Sequence, residues 1–135
     1  VDPDIGAAGD IDTAVVTLSY ADGRLAVIKN SRRAGYGYDQ RLEVLGSEGL
    51  LQANNMLESS VVKSTIEGVV SAKPTYFFLE RYMSAYRAEW AAFVGALRGE
   101  KPMPVTLEDG VQALAMAEAA IQSLDAGKPV ALADV

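Results

Sequence analysis

The chain has 135 residues, half of them hydrophobic and 22% charged, which fits one globular domain and leaves no room for a complete two-domain enzyme. It contains neither cysteine nor histidine. A thiolate nucleophile, a disulfide framework, an imidazole general base and a zinc site of the nitrogen or sulfur type are therefore excluded, and a net charge of −6 argues against a nucleic-acid or anionic-membrane surface.

No apolar run reaches the ~18 to 20 residues of a transmembrane helix, and the N-terminus lacks the order of a signal peptide, so a soluble cytoplasmic protein is expected. Residues 1–12 are rich in Gly, Ala, Asp and Pro without an apolar period and read as an irregular leader. With Val1 where a start codon would give Met, they suggest a chain cut from a longer protein.

Thr13 to Tyr20 alternates as a strand, with Ala14, Val16, Leu18 and Tyr20 on one face. Ala21-Asp22-Gly23-Arg24 supplies an Asp-Gly turn, and Leu25 to Ser31 returns as the second strand of a hairpin. After a polar, Gly-containing stretch to Gln40, Arg41 to Leu45 and Leu50 to Ala53 flank Gly46-Ser47-Glu48-Gly49 as a second hairpin. Asn54-Asn55 is a turn, and the β-branched run Ser59 to Val70 reads as a fifth strand with a break at Gly68.

Beyond Pro74 the period changes. Leu79, Met83, Tyr86, Trp90, Phe93 or Val94, and Leu97 recur every three to four residues, which predicts an amphipathic helix from Phe77 to Arg98 ended by Gly99. Thr106 is the N-cap of a second helix carried by Leu107, Val111, Leu114, Ile121 and Leu124 and stopped at Gly127. Strands followed by two helices give an α+β domain: a mostly antiparallel sheet with two C-terminal helices packed on one face. The other sheet face, with Val15, Val27 and Leu45, is then left open for another domain or another copy of the chain.

Candidate chemistry is sparse. Gly35-Tyr36-Gly37 opens like a dinucleotide fingerprint, but Gln40 stands where the third glycine belongs and a strand follows instead of a helix. Asp2, Asp4, Asp10 and Asp12 lack the glycine and closing glutamate of a calcium loop, so no metal site is expected. The aromatics of the first long helix read as core. The stretch Ser31 to Asp39 is richer: Arg32, Arg33, Tyr36, Tyr38 and Asp39 share a short loop, alternation sends both tyrosines to one side, and their hydroxyls suit a polyhydroxylated ligand. The competing reading is that the tyrosines pack and the arginines pair with Asp39 or Glu43 in solvent.

The segment Asn30-Ser31-Arg32-Arg33-Ala34-Gly35-Tyr36-Gly37-Tyr38-Asp39-Gln40-Arg41-Leu42-Glu43-Val44-Leu45-Gly46-Ser47-Glu48-Gly49 resembles the inositol 2-dehydrogenase branch of the Gfo/Idh/MocA oxidoreductases. The likeness extends to Val1 through Gly6, Asp10 through Ala14, Arg81 through Glu89 and Asp109 through Leu114. The resemblance implies that residues 1–135 are a single C-terminal substrate and oligomerisation domain, with the family's N-terminal Rossmann domain, and its catalytic lysine, aspartate and histidine, upstream of Val1. It implies NAD as cofactor of the complete enzyme and none bound by this fragment, a polyol substrate, and a homodimer or homotetramer formed through the sheet. The isolated chain is expected to be inert.

By the same resemblance Tyr36 and Tyr38 match a stretch from which the family brings at least one tyrosine to the inositol hydroxyls, and either of the two could be that one. Asp39, Arg32 and Arg33 join the candidate substrate site, although each could instead orient the loop or bridge subunits. Glu100-Lys101-Pro102 spells the family's lysine tripeptide but lies between the two helices, so Lys101 reads as a surface lysine. Two rivals remain: a freestanding dimerisation or ligand-binding module without catalysis, and the same domain of another sugar or cyclitol dehydrogenase.

Overall fold

The computed structural model describes residues 2–134. The order is α1 (Pro3–Ala7), β1 (Thr13–Ser19), β2 (Leu25–Ser31), β3 (Leu42–Gly46), β4 (Gly49–Ala53), β5 (Val62–Thr65), β6 (Gly68–Ser71), α2 (Phe78–Leu97), α3 (Leu107–Ala126) and a closing 3-10 turn, Leu132–Asp134. Strands precede the two long helices, as the α+β reading expects. Among the described residues the strands pair as three local ladders, β1 with β2, β3 with β4 and β5 with β6.

Contacts divide the chain into two compact units, one formed by the residues through Val15 with Ile28–Arg87, the other by Val16–Val27 with the chain from Ala88 onward. The first unit begins with a departure from expectation. The supposed irregular leader contains α1, because Asp2 caps it by accepting from the Asp4 backbone N–H at 3.1 Å and Pro3 is preset for the first helical turn. Five residues are too few to give a period, so only the cap signal was available in the sequence.

In β3 and β4 the register pairs Leu42 with Ala53 and Val44 with Leu51 on one face, and Glu43 with Gln52 and Leu45 with Leu50 on the other. Gln52 Nε2 donates to Glu43 Oε2 at 2.7 Å across the pair. The expected single strand 59–70 is instead the β5–β6 hairpin. It turns at Ile66-Glu67, where Thr65 Oγ1 accepts from the Glu67 N–H at 3.2 Å, and Gly68 opens β6 at φ +147°. The loop after β4 is tied to the segment before α2 by the Leu57–Pro74 bridge and by the Thr75 N–H to Met56 carbonyl bond of 3.0 Å.

In the second unit the Asp-Gly turn closes as read, with the Tyr20 N–H on the Arg24 carbonyl at 3.0 Å and Gly23 at φ +87°. Gly99 ends α2 at φ +73°. Thr106 and Asp109 form a reciprocal capping box on α3, and Gly127 stops it in the left-handed region at φ +62°.

Burial is slight. Among the described residues only Asp2, Gly37, Gly95 and Ala119 are buried. Val15, Val27 and Leu45 are exposed. So do Tyr86, Trp90 and Phe93, which the sequence assigned to a core. Helical spacing identifies an apolar stripe but not the surface that covers it.

Candidate functional site

Residues 32–41 join β2 to β3 as a loop, and its conformation is set by one glycine. Gly37 holds φ +132°, and its α-carbon lies so close to the next segment that a Cβ would meet the Pro74 carbonyl oxygen at 2.7 Å. The Tyr38 N–H donates to the Thr75 carbonyl at 2.8 Å beside it. The space beside Gly37 is thus filled by backbone, and β3 follows instead of a helix. The loop does not fit a dinucleotide.

Either side of Gly37 the two tyrosines diverge. Tyr36 is half exposed, and its hydroxyl donates to Asp39 Oδ2. Tyr38 turns its ring edge-on to Tyr82 of α2, with centroids 5.6 Å apart, and Tyr82 in turn meets Tyr86 at 6.2 Å. The Arg81 guanidinium lies over the Tyr82 ring at 5.7 Å, and the neighbouring Tyr38 hydroxyl first, with burial second, pushes the Tyr82 phenol up. Strand alternation had put the tyrosines on one side. It fails because the segment is a turn, where the two-residue period has no hold.

Asp39 is the hub of the loop. Its Oδ1 accepts from Arg41 Nε at 2.8 Å and from Asn55 Nδ2 at 2.8 Å, while Oδ2 accepts from Arg41 Nη2 at 2.9 Å and from Tyr36. A carboxylate offers about four acceptor directions, so these donors fill it. The Arg41 fork first, then Tyr36 and Asn55, hold the Asp39 carboxyl well below the usual carboxylate range. The hydrogen bond to Asp39 first, then desolvation and the negative charge of Asp39, conversely raise the Tyr36 phenol. Asn55 also accepts from the Gln40 N–H at 2.7 Å, so one amide pins the loop at two points. Sequence reading misses both: Asn55 because a turn residue 16 positions from its partner leaves no local signal, and Arg41 because, two residues from Asp39, it reads as the start of a strand.

The arginines expected to meet Asp39 or Glu43 do otherwise. Arg32 pairs with Asp10 at 2.6 Å, and Arg33 pairs with Asp2 at 2.7 Å, the aspartate side chain being 5% exposed. Asp2 also donates its backbone N–H to Asp12, so Arg32 and Arg33 anchor the segment around α1. Lys101 is exposed between α2 and α3, and no cluster of metal-ligating side chains occurs among the described residues. Nor is any helix among them long and apolar enough to cross a membrane.

Comparison with known proteins gives this geometry a setting. Residues 2–132 match the family described as oxidoreductase family, C-terminal alpha/beta domain. The myo-inositol 2-dehydrogenase of Thermotoga maritima is 47% identical over 135 residues, covering 100% of this chain and 40% of that protein. The crystal structure of a myo-inositol dehydrogenase from Corynebacterium glutamicum superposes with a TM-score of 0.85 at 43% identity, covering 95% of this chain and 39% of that one. A scyllo-inositol dehydrogenase from Lactobacillus casei, solved with bound NAD(H) and scyllo-inositol, gives 0.83 at 28% identity, over 97% of this chain and 38% of its own. The chain therefore spans about 40% of the length of the curated relatives it matches, and by this match it belongs to the C-terminal domain family of the Gfo/Idh/MocA oxidoreductases.

Proposed function

We propose that the chain is the C-terminal substrate and oligomerisation domain of a cytoplasmic, NAD-dependent inositol 2-dehydrogenase. The observation that carries this is the braced loop Tyr36-Gly37-Tyr38-Asp39, which offers phenols at a fixed position within a chain 47% identical throughout to a myo-inositol 2-dehydrogenase. Upstream lie the Rossmann domain and the lysine, aspartate and histidine that handle the reacting hydroxyl proton. NAD would be held by residues of that preceding domain and would supply the hydride acceptor.

This chain's contribution is orientation. Tyr36 and Tyr38 hold ring hydroxyls other than the reacting one, and so set which carbon faces the cofactor. Arg32 and Arg33 serve from the edge of the loop, through the segment that they tether. The open apolar strands pair with a second copy, giving a dimer or tetramer.

The test uses the longer protein that carries this chain. It should reduce NAD when given myo-inositol, and Tyr36→Phe and Tyr38→Phe should each raise the inositol KM roughly two- to twelvefold, the worth of one neutral hydrogen bond. Absence of polyol-dependent NAD reduction would remove the reading. A second reading, another cyclitol as substrate, is favoured by the scyllo-inositol held in the Lactobacillus casei neighbour. A panel of inositol stereoisomers ranked by kcat/KM separates the two.

A further inference from the structure

A phenol that faces a ligand can donate or accept, and which it does normally follows the ligand. Tyr36 has no such freedom. Its hydroxyl is committed to Asp39 Oδ2, and the remaining acceptor directions of that carboxylate are taken by the Arg41 fork at 2.8 and 2.9 Å and by Asn55 at 2.8 Å. Asp39 itself is largely withdrawn from solvent, with its side chain 17% exposed, whereas Tyr36 is 53% exposed. The carboxylate therefore has no vacant direction for a ligand, while the phenol oxygen, having given its only proton to that bond, keeps acceptor capacity on a half-exposed residue.

We infer that Asp39, held by Arg41 and Asn55, is a positioning residue that accepts the Tyr36 O–H hydrogen bond and so leaves the Tyr36 oxygen as a one-way acceptor for a hydroxyl donated by the polyol. The inference rests on the dehydrogenase reading and sharpens it. A carbonyl has no proton to donate, so Tyr36 faces a hydroxyl that stays a hydroxyl in substrate and product alike, not the one being oxidised. Ligands with an ether or fluorine at that ring position lose the contact. The raised phenol and the lowered carboxyl are the electrostatic trace of the same committed proton.

The experiment is a double-mutant cycle in the longer protein, followed through KM and kcat for myo-inositol at saturating NAD. Tyr36→Phe and Asp39→Asn should each raise KM roughly two- to twelvefold while kcat stays within about twofold. On the Tyr36→Phe background, Asp39→Asn should add nothing to KM, because the group it serves is already gone. Additive losses, or an unchanged KM in the Asp39 variant, would overturn the inference. Asn55→Ala is the second variant should Asp39→Asn fold poorly, with the same non-additivity required.

A spectroscopic arm separates this inference from the function it rests on. In protein labelled at the tyrosine ring carbons, the Tyr36 resonance should titrate at lower pH in Asp39→Asn than in the wild type, with or without substrate. A wild-type protein that reduces no NAD with any polyol ends the dehydrogenase reading, and the titration then decides alone whether Asp39 holds the Tyr36 proton. An identical titration in the two proteins would show that it does not.

Discussion

A Cβ placed on Gly37 would stand 2.7 Å from the Pro74 carbonyl oxygen and 3.1 Å from that of Thr75. Backbone on both sides of the contact cannot swing away as a side chain would, and φ of +132° adds strain for any L-residue. Gly37→Ala should therefore cost about 1 to 3 kcal/mol of stability and loosen the Tyr38–Thr75 hydrogen bond that hangs the loop on the next segment. Gly35→Ala, two residues earlier, faces open space and should stay within about 0.5 kcal/mol of the parent. Denaturant midpoints for the two variants check this, and equal losses would remove Gly37 as the fixed point of the loop.

What the sequence made legible was whatever depends on near neighbours. The period of Leu79, Met83, Tyr86 and Trp90 located α2, and Thr106, Asp109 and Gly127 marked both ends of α3 to the residue. The β5–β6 turn was displaced because Gly68 reads as a breaker, whereas it begins the strand after a two-residue turn at Ile66-Glu67. The loop's composition pointed to Tyr36, Tyr38 and Asp39, but not to the partners that orient them. Arg41 reads as the start of a strand, where alternation does not show its fork on Asp39, and Asn55 reads as a turn, since a bond across 16 residues is written in the fold and not in the local pattern.

Ionisation of the loop sets two limits on pH. Arg41, Tyr36 and Asn55 lower the Asp39 carboxyl from its ordinary 3.8, so the folded state holds that proton less tightly than the unfolded chain does. Its contribution to stability is complete above about pH 5 and is lost as pH falls through the lower folded value. Tyr36 runs the other way. Asp39 raises its phenol above the ordinary 10.0, so that contribution is complete below the unfolded value and is lost as pH rises through the folded one. The stability difference between wild type and Asp39→Asn should accordingly be widest around neutral pH and narrow towards strong acid. Unfolding curves at several pH values measure it, and a gap that persists unchanged in strong acid would contradict the role of the carboxylate.

The α3 cap makes an independent prediction away from the loop. Thr106 Oγ1 accepts from the Asp109 N–H at 3.3 Å, and Asp109 Oδ2 accepts from the Thr106 N–H at 2.7 Å and from its hydroxyl at 2.8 Å. Those bonds, the one to the Thr106 backbone first, hold the Asp109 carboxyl below its usual range. Thr106→Ala should cost about 1 kcal/mol, while Thr106→Ser should retain most of it. Thermal unfolding followed by circular dichroism distinguishes them, and a loss shared equally by the serine variant would mean that the hydroxyl cap is not what holds the helix start.

The β3–β4 ladder tests the proposed assembly. Leu42, Val44 and Leu51 lie on one face by register, opposite to Leu45, and all three are exposed as Leu45 is, Leu51 at 74%. A contiguous apolar surface of this kind is unfavourable in water, and a two-fold axis lets one patch cover its own copy. Burying each such side chain contributes about 2 kcal/mol, and an ammonium in its place would have to be desolvated without a partner. Leu51→Lys should therefore weaken self-association by a factor of roughly 10 or more, whereas Glu118→Lys on the exposed surface of α3 should leave it as it was. Light scattering across a concentration series gives the masses. A wild-type chain that stays monomeric at micromolar concentration would count against pairing through the sheet, and an assembly untouched by Leu51→Lys would move the interface to another face.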